Sequence, residues 1–163
     1  MTRKRNRRRE LPEPFEVVIE GLSHEGRGIA HHNGKIVFVF ASLPGERVNI
    51  QINKINKRYS EASIVDILQA SEHRIQPHCK HFSICGGCSM QHVSSEYQLE
   101  LKQKSVLEMF NHAGIKIGEV IPPLTAAAWG YRRKARLGAK YVIKKGRQLV
   151  GFRERNKPYL ADM

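Results

Sequence analysis

The chain has 163 residues, 40% of them apolar, which suffices for one domain or two small ones with real cores. No apolar run reaches the ~20 residues of a membrane helix, and no apolar stretch follows the basic N-terminus, so the chain reads as cytoplasmic and unsecreted. All three cysteines fall within ten residues, an odd and clustered set that points to metal or redox chemistry rather than a disulfide framework.

The net charge is +13 (28 Lys/Arg against 15 Asp/Glu), and it is unevenly spread. Residues 1–9 carry six Lys/Arg and no acid; residues 129–163 carry eleven against Glu154 and Asp162, a net of +9. Residues 10–128 carry eleven against thirteen acids, a net of −2. A phosphate-binding surface is therefore expected from the tail and the last 35 residues, where neutralised phosphates release counterions.

In chain order, residues 1–14 are expected to be a disordered basic tail closed by Pro12 and Pro14. Residues 15–70 read as five short strands punctuated by Gly and Pro turns. These are "FEVVIEGL", a hairpin through Asn33-Gly34 into "KIVFVF", then, after the "SLPGE" turn, "ERVNIQINKI" and "YSEASIVDIL". Val48, Ile50 and Ile52 alternate with Asn49, Gln51 and Asn53, as on a half-buried strand, and Ala62 and Ile64 share one face of the last strand. That pattern predicts a small OB-like barrel. Residues 71–93 read as a cysteine loop. Residues 94–163 supply a helix from about Ser95 to Ala113, a linker "IPPLTAAAWG", and two strands around "KKGRQ". Ser95 with Gln98 suggests a capping box, Gly114 a stop, and Leu99, Val106, Phe110 and Ala113 one apolar face. The fold class is thus mainly β with one clear helix.

The segment "HCKHFSICGGCSMQH" sets Cys79, Cys85 and Cys88 at C-x5-C-G-G-C spacing. Thiolates so spaced can converge, and Gly86 and Gly87 let the backbone curl close to sulfur. Spacing alone leaves four readings open. They are an iron–sulfur cluster with a distant fourth ligand, a Cys3His zinc site using His78, His81 or His92, a Cys85–Cys88 redox dithiol, and three reduced cysteines with no cofactor. Near the C-terminus, "WGYRRKARLGAKY" interleaves Trp129 and Tyr131 with Arg132, Arg133, Lys134 and Arg136. Guanidinium forks grip phosphates and aromatic faces stack on unpaired bases, so these six residues are candidate RNA contacts. On a strand, Arg132, Lys134 and Arg136 would share a face. The same segment also reads as an exposed edge protected by charge.

These motifs together resemble the bacterial 23S ribosomal RNA (uracil-C5)-methyltransferases, the RumA/RlmD group. The cysteine segment with its trailing Gln91-His92 looks like that group's iron–sulfur signature. "EGRGIAHHNGKIVFV" with "LPGE" is similar to its N-terminal TRAM domain, and "WGYRRKARL" with "GFRER" resembles the start of its central domain. The resemblance covers residues 15–163 and implies a [4Fe–4S] cluster on Cys79, Cys85, Cys88 and a fourth cysteine just past Met163. The abrupt ending at "PYLADM" then fits a fragment of a longer enzyme. In that group S-adenosylmethionine is bound by a C-terminal Rossmann-like domain, where a cysteine adds to C6 of a flipped-out uracil before C5 is methylated. No catalytic or cofactor-binding residue is assigned in this chain, which is expected to be inactive alone. The implied partner is 23S ribosomal RNA; neither a membrane nor a protein partner is implied. Two alternatives differ in class. One is a free-standing TRAM-type RNA-binding module with a zinc or cluster knuckle; the other is a thiol-redox protein using Cys85 and Cys88.

Overall fold

A computed structural model describes residues 11–162, so the basic run of residues 1–10 lies outside the described residues. The chain divides into two compact units, one ending at Glu72 and one beginning at His73. Each is taken by itself.

The first unit is a sheet of six strands: β1 Phe15–Val18, β2 Gly21–Leu22, β3 Gly28–His32, β4 Lys35–Phe40, β5 Arg47–Ile55 and β6 Tyr59–Gln69. Their order is β1-β5-β6-β4-β3-β2, with β4 and β6 parallel and every other pair antiparallel. One strand was expected where two are found. Between β1 and β2 the chain leaves one sheet edge for the other: Ile19 N donates to Glu46 O at 2.9 Å and Glu20 N to Ile29 O at 2.8 Å. The two edge strands are thus consecutive in sequence, which curls the sheet into a barrel-like shape without closing the ladder.

The β3–β4 hairpin turns at Asn33 (φ 48°) and Gly34 (φ 72°), the left-handed pair that matches strand twist. Alternation then decides the core. Val37 and Val39 of β4, Val48, Ile50 and Ile52 of β5, and Ala62 of β6 are buried together with Val17, Ile19 and Ala30. Ile64 packs against this cluster, whereas Val65, Ile67 and Leu68 in the second half of β6 are exposed. Residues 11–14 have no regular structure and are exposed, and Gln51 Nε2 donates to Pro12 O at 2.9 Å.

Gly28 marks the tightest point of the barrel. A Cβ there would run into Ser42 Oγ and stand 2.9 Å from Ile19 Cγ2. Ser42 is itself buried and donates to Val39 O at 3.2 Å. Gly28→Ala is therefore expected to cost about 1–3 kcal/mol through overpacking, read as a lowered urea midpoint for this unit. An unchanged midpoint would mean that the loop yields freely.

In the second unit, helix α1 spans Ser95–His112. Its cap is Ser94 rather than Ser95: Ser94 Oγ accepts from Tyr97 N at 3.3 Å. Gln98 does not close a capping box; its Nε2 donates to Met90 O and Val93 O, both at 3.0 Å, fastening the helix start to the end of the cysteine segment. Gly114 (φ 70°) ends it in a Schellman turn, with Gly114 N on Asn111 O and Ile115 N on Phe110 O. The expected apolar face is not a buried one. Leu101 is the buried residue of the helix and Leu99 is half-buried, while Val106, Phe110 and Ala113 are exposed because no described element packs along the later turns.

Residues 113–140 are exposed throughout. β7 Gly138–Val142 and β8 Arg147–Gly151 then pair in a hairpin around a short 3-10 turn, Ile143–Lys145, with Gly146 left-handed at its end. The "KKGRQ" turn is where it was expected. The segment after β8 folds back once more: Arg153 pairs with Leu160, and Ala161 N donates to Phe152 O at 2.8 Å.

Candidate functional site

The cysteine loop lacks regular structure but is held at many points. Two tight turns shape it, with Phe82 N on Cys79 O at 3.1 Å and Cys85 N on His81 O at 2.8 Å. Phe82 is buried, its ring 5.5 Å from that of the buried His92 and 5.8 Å from the Arg155 guanidinium carbon. Cys85 forms an antiparallel bridge with Glu154, through Gly86 N to Arg153 O at 2.9 Å and Arg155 N to Ile84 O at 2.8 Å. The loop is thereby docked on the segment that follows β8.

Side chains grip the backbone of each cysteine. Gln91 Oε1 accepts from Cys79 N at 3.0 Å. Arg155 Nη2 donates to Cys85 O at 3.0 Å and also to Cys88 O. The glycines between Cys85 and Cys88 sit close against this docked segment, so that a side chain on either would require its neighbour to shift by a few tenths of an ångström. A Cβ on Gly86 would lie 3.1 Å from Arg153 O, and one on Gly87 would lie 3.1 Å from the Phe152 ring.

The donor set fits a thiophilic metal or cluster. All three cysteines are free thiols, Cys79 and Cys85 half-buried and Cys88 exposed. Gly87 N already donates to Cys85 Sγ at 3.3 Å, the kind of amide contact that stabilises a ligating thiolate. Among the described residues, no three His, Cys, Asp or Glu side chains are gathered closely enough to hold a metal ion. The loop thus carries its three thiols on a backbone held by hydrogen bonds at each cysteine.

The basic segment is not a strand. Tyr131–Leu137 has no regular structure and β7 begins only at Gly138, so the shared-face arrangement of Arg132, Lys134 and Arg136 does not hold. Without a neighbouring strand, these residues have no ladder to fix their alternation. Trp129 and Tyr131 are 60% and 66% exposed. The Trp129 ring also lies 4.9 Å from that of His78, next to Cys79, and Arg132 stands 5.6 Å over Tyr131.

Local pairing sorts the cations of residues 129–163. Asp162 binds both Lys145 and Arg147, and the hydrogen bond from Lys145, ahead of that from Arg147, holds its carboxyl below the usual carboxylate range. Lys157 bonds Glu154 at 2.9 Å, which raises its ammonium above the usual lysine range. Arg153 donates to Pro158 O at 2.8 Å, and Arg155 is committed to the cysteine loop. Among the described residues, Arg132, Arg133, Lys134 and Arg136 form no ion pair, and both acids of this stretch are engaged elsewhere. The sequence pattern did not single out Arg155 or assign a task to Gln91; only the position of Gln91 behind the cysteines drew notice.

The described chain thus runs from a barrel-like sheet to a docked cysteine loop and a basic, aromatic segment. Residues 8–65 match the family model of the TRAM domain. Nearly the whole chain is also related to ribosomal RNA uracil-C5 methyltransferases. It is 54% identical over 159 residues to the 23S rRNA (uracil(1939)-C(5))-methyltransferase RlmD of Alkalilimnicola ehrlichii, across 96% of this chain and 36% of that protein. It is 45% identical over 161 residues to RlmD of Methylococcus capsulatus, across 98% and 36%. The chain therefore spans about a third of the length of the curated relatives it matches. Among solved structures, Pyrococcus abyssi tRNA (uracil-54, C5)-methyltransferase in complex with S-adenosyl-L-homocysteine matches 66% of this chain and 23% of its own. Identity there is 27% and the TM-score 0.40. No helix of the described residues is long and apolar enough to cross a membrane.

Proposed function

We propose that this chain is the RNA-recognition and cluster-bearing part of a cytoplasmic, S-adenosylmethionine-dependent methyltransferase that makes 5-methyluridine in 23S ribosomal RNA. The observation that carries this reading is the 54% identity across 96% of the chain, which takes in the TRAM region, the cysteine motif and the basic segment alike. The TRAM unit and the open Trp129–Arg136 segment hold RNA. Cys79, Cys85 and Cys88 hold three corners of a [4Fe–4S] cluster, with the fourth ligand supplied from outside these 163 residues. When bound, the cluster supplies a structural cross-link between the cysteine loop and whatever brings that ligand; no step of methyl transfer is assigned to it.

Within this reading, the chain's own residues bind and orient RNA while the cofactor site and the attacking cysteine lie elsewhere. The test is methyl transfer from S-adenosylmethionine to unmodified 23S ribosomal RNA, by the 163-residue chain and by its gene product as the source cell makes it. The chain alone is expected to transfer nothing. The native product, if longer than 18.6 kDa on an immunoblot, is expected to methylate uracil at C5. A longer product without that activity would refute the proposal. A native product of 18.6 kDa would instead favour a free-standing RNA-binding module.

A further inference from the structure

The loop that carries the three cysteines has no helix or strand of its own, yet metal ligands must be held close to their final geometry. One side chain meets two of the three ligand-bearing residues. Arg155 Nη2 donates to the main-chain oxygens of Cys85, at 3.0 Å, and of Cys88, across sequence separations of 70 and 67 residues. Its own amide extends the same contact through Ile84 O at 2.8 Å, and its guanidinium stands over the buried Phe82 ring. With both carbonyls turned toward Arg155, the Gly87 amide between them is left to face sulfur, as its 3.3 Å bond to Cys85 Sγ records. A planar guanidinium can satisfy several acceptors in a fixed fork, which an ammonium cannot reproduce.

We propose that Arg155 is the positioning residue of the cysteine centre: it fixes the Cys85–Cys88 backbone so that both thiolates can address one metal. The inference rests on reading Cys79, Cys85 and Cys88 as metal ligands. It assigns to the chain's last stretch a task separate from RNA contact, since Arg155 is spent on the loop. Outer contacts of this kind typically change metal affinity by about 10–100-fold when removed.

Cobalt(II) titration of the reduced, anaerobic 163-residue chain tests it, because thiolate-to-cobalt charge-transfer bands report ligation by sulfur directly. The wild-type chain is expected to show these bands, and Cys88→Ser to weaken them. Arg155→Ala is expected to lower cobalt affinity about 10–100-fold. Arg155→Lys, which retains the charge but lacks the planar, pre-organised fork, should fall between. Arg153→Ala, which removes an equal charge whose side chain, among the described residues, bonds Pro158 O and not the cysteine loop, should match wild type. Should Arg155→Ala fail to fold, the Lys variant carries the comparison. Wild-type affinity in the Arg155 variants, or an equal loss in Arg153→Ala, overturns the inference while leaving the metal reading intact. No charge-transfer bands in the wild-type chain would overturn both.

Discussion

Replacing Arg132, Arg133, Lys134 and Arg136 together with alanine is expected to lower the chain's affinity for RNA by about 10²–10³-fold near physiological salt. The figure follows from counterion release: each neutralised phosphate contributes a slope of roughly 0.7 to 0.9 in log affinity against log salt, so removing four cations flattens the plot by about 3 to 4. Local pairing ranks these four above Lys145, Arg147, Arg155 and Lys157; Lys140 and Lys144, which form no ion pair either among the described residues, stay in the variant as its remaining unpaired cations. Lys145 and Arg147 share Asp162, Lys157 is held by Glu154, and Arg155 is turned toward the cysteine loop. The rings of Trp129 and Tyr131 beside them remain exposed for stacking. The measurement is a salt series of RNA binding for the wild-type and quadruple-alanine chains. An unchanged slope would place the phosphate-binding cations on another surface, the run of residues 1–9 being the obvious one.

What could be read from the sequence divides along physical lines. The hairpin at Asn33-Gly34 and the alternation of Val48, Ile50 and Ile52 were legible because turn chemistry and a half-buried face each leave a local mark. The break of the first strand was not, because nothing in "FEVVIEGL" says that Glu20 will pair with Ile29 while Val17 pairs with Val48. That choice is made by partners distant in sequence. The helix was legible in extent but not in environment: Leu99, Val106, Phe110 and Ala113 line up at helical spacing, yet periodicity records a preference and not a neighbour. The shift of the cap from Ser95 to Ser94 is a contest between adjacent serines that the carbonyls of Met90 and Val93 decide by drawing Gln98 away.

The site shows the same division. Cys79, Cys85 and Cys88 announce themselves by spacing, and the basic run by composition. Arg155 does not, because in sequence it is one more arginine in a basic stretch, and its contact with Cys85 and Cys88 exists only once β8 has brought "FRER" alongside the loop. Tyr131–Leu137 was expected as a strand from alternation that arginine and lysine mimic without any buried face to enforce it.

Glu46→Ala is expected to destabilise the TRAM unit by about 2–4 kcal/mol, the cost of leaving two sheltered amides without their acceptor. In the sequence "SLPGE" reads only as a turn. In the fold, Glu46 is fully buried: Oε2 accepts from Leu43 N at 2.8 Å and Oε1 from Ser71 N at 3.2 Å. The carboxylate thus ties the β4–β5 loop to the residues after β6, and its own carbonyl accepts from Ile19 where the first strand changes edge. A unit of roughly 60 residues has on the order of 3–9 kcal/mol to lose, so this single side chain bears on whether the barrel holds at all. Glu46→Gln should cost less than alanine, because its oxygen can still accept from one amide while its NH2 opposes the other. Trp129 lies in the second unit and would not report the change, so the readout is amide exchange in β5, over Val48–Ile52. Faster exchange there in Glu46→Ala, with the exchange of α1 unaltered, is the expected result. Equal protection in the variant would mean that the core of Val37, Val39, Val48 and Ile50 holds the sheet together unaided, and that the carboxylate is merely accommodated by it.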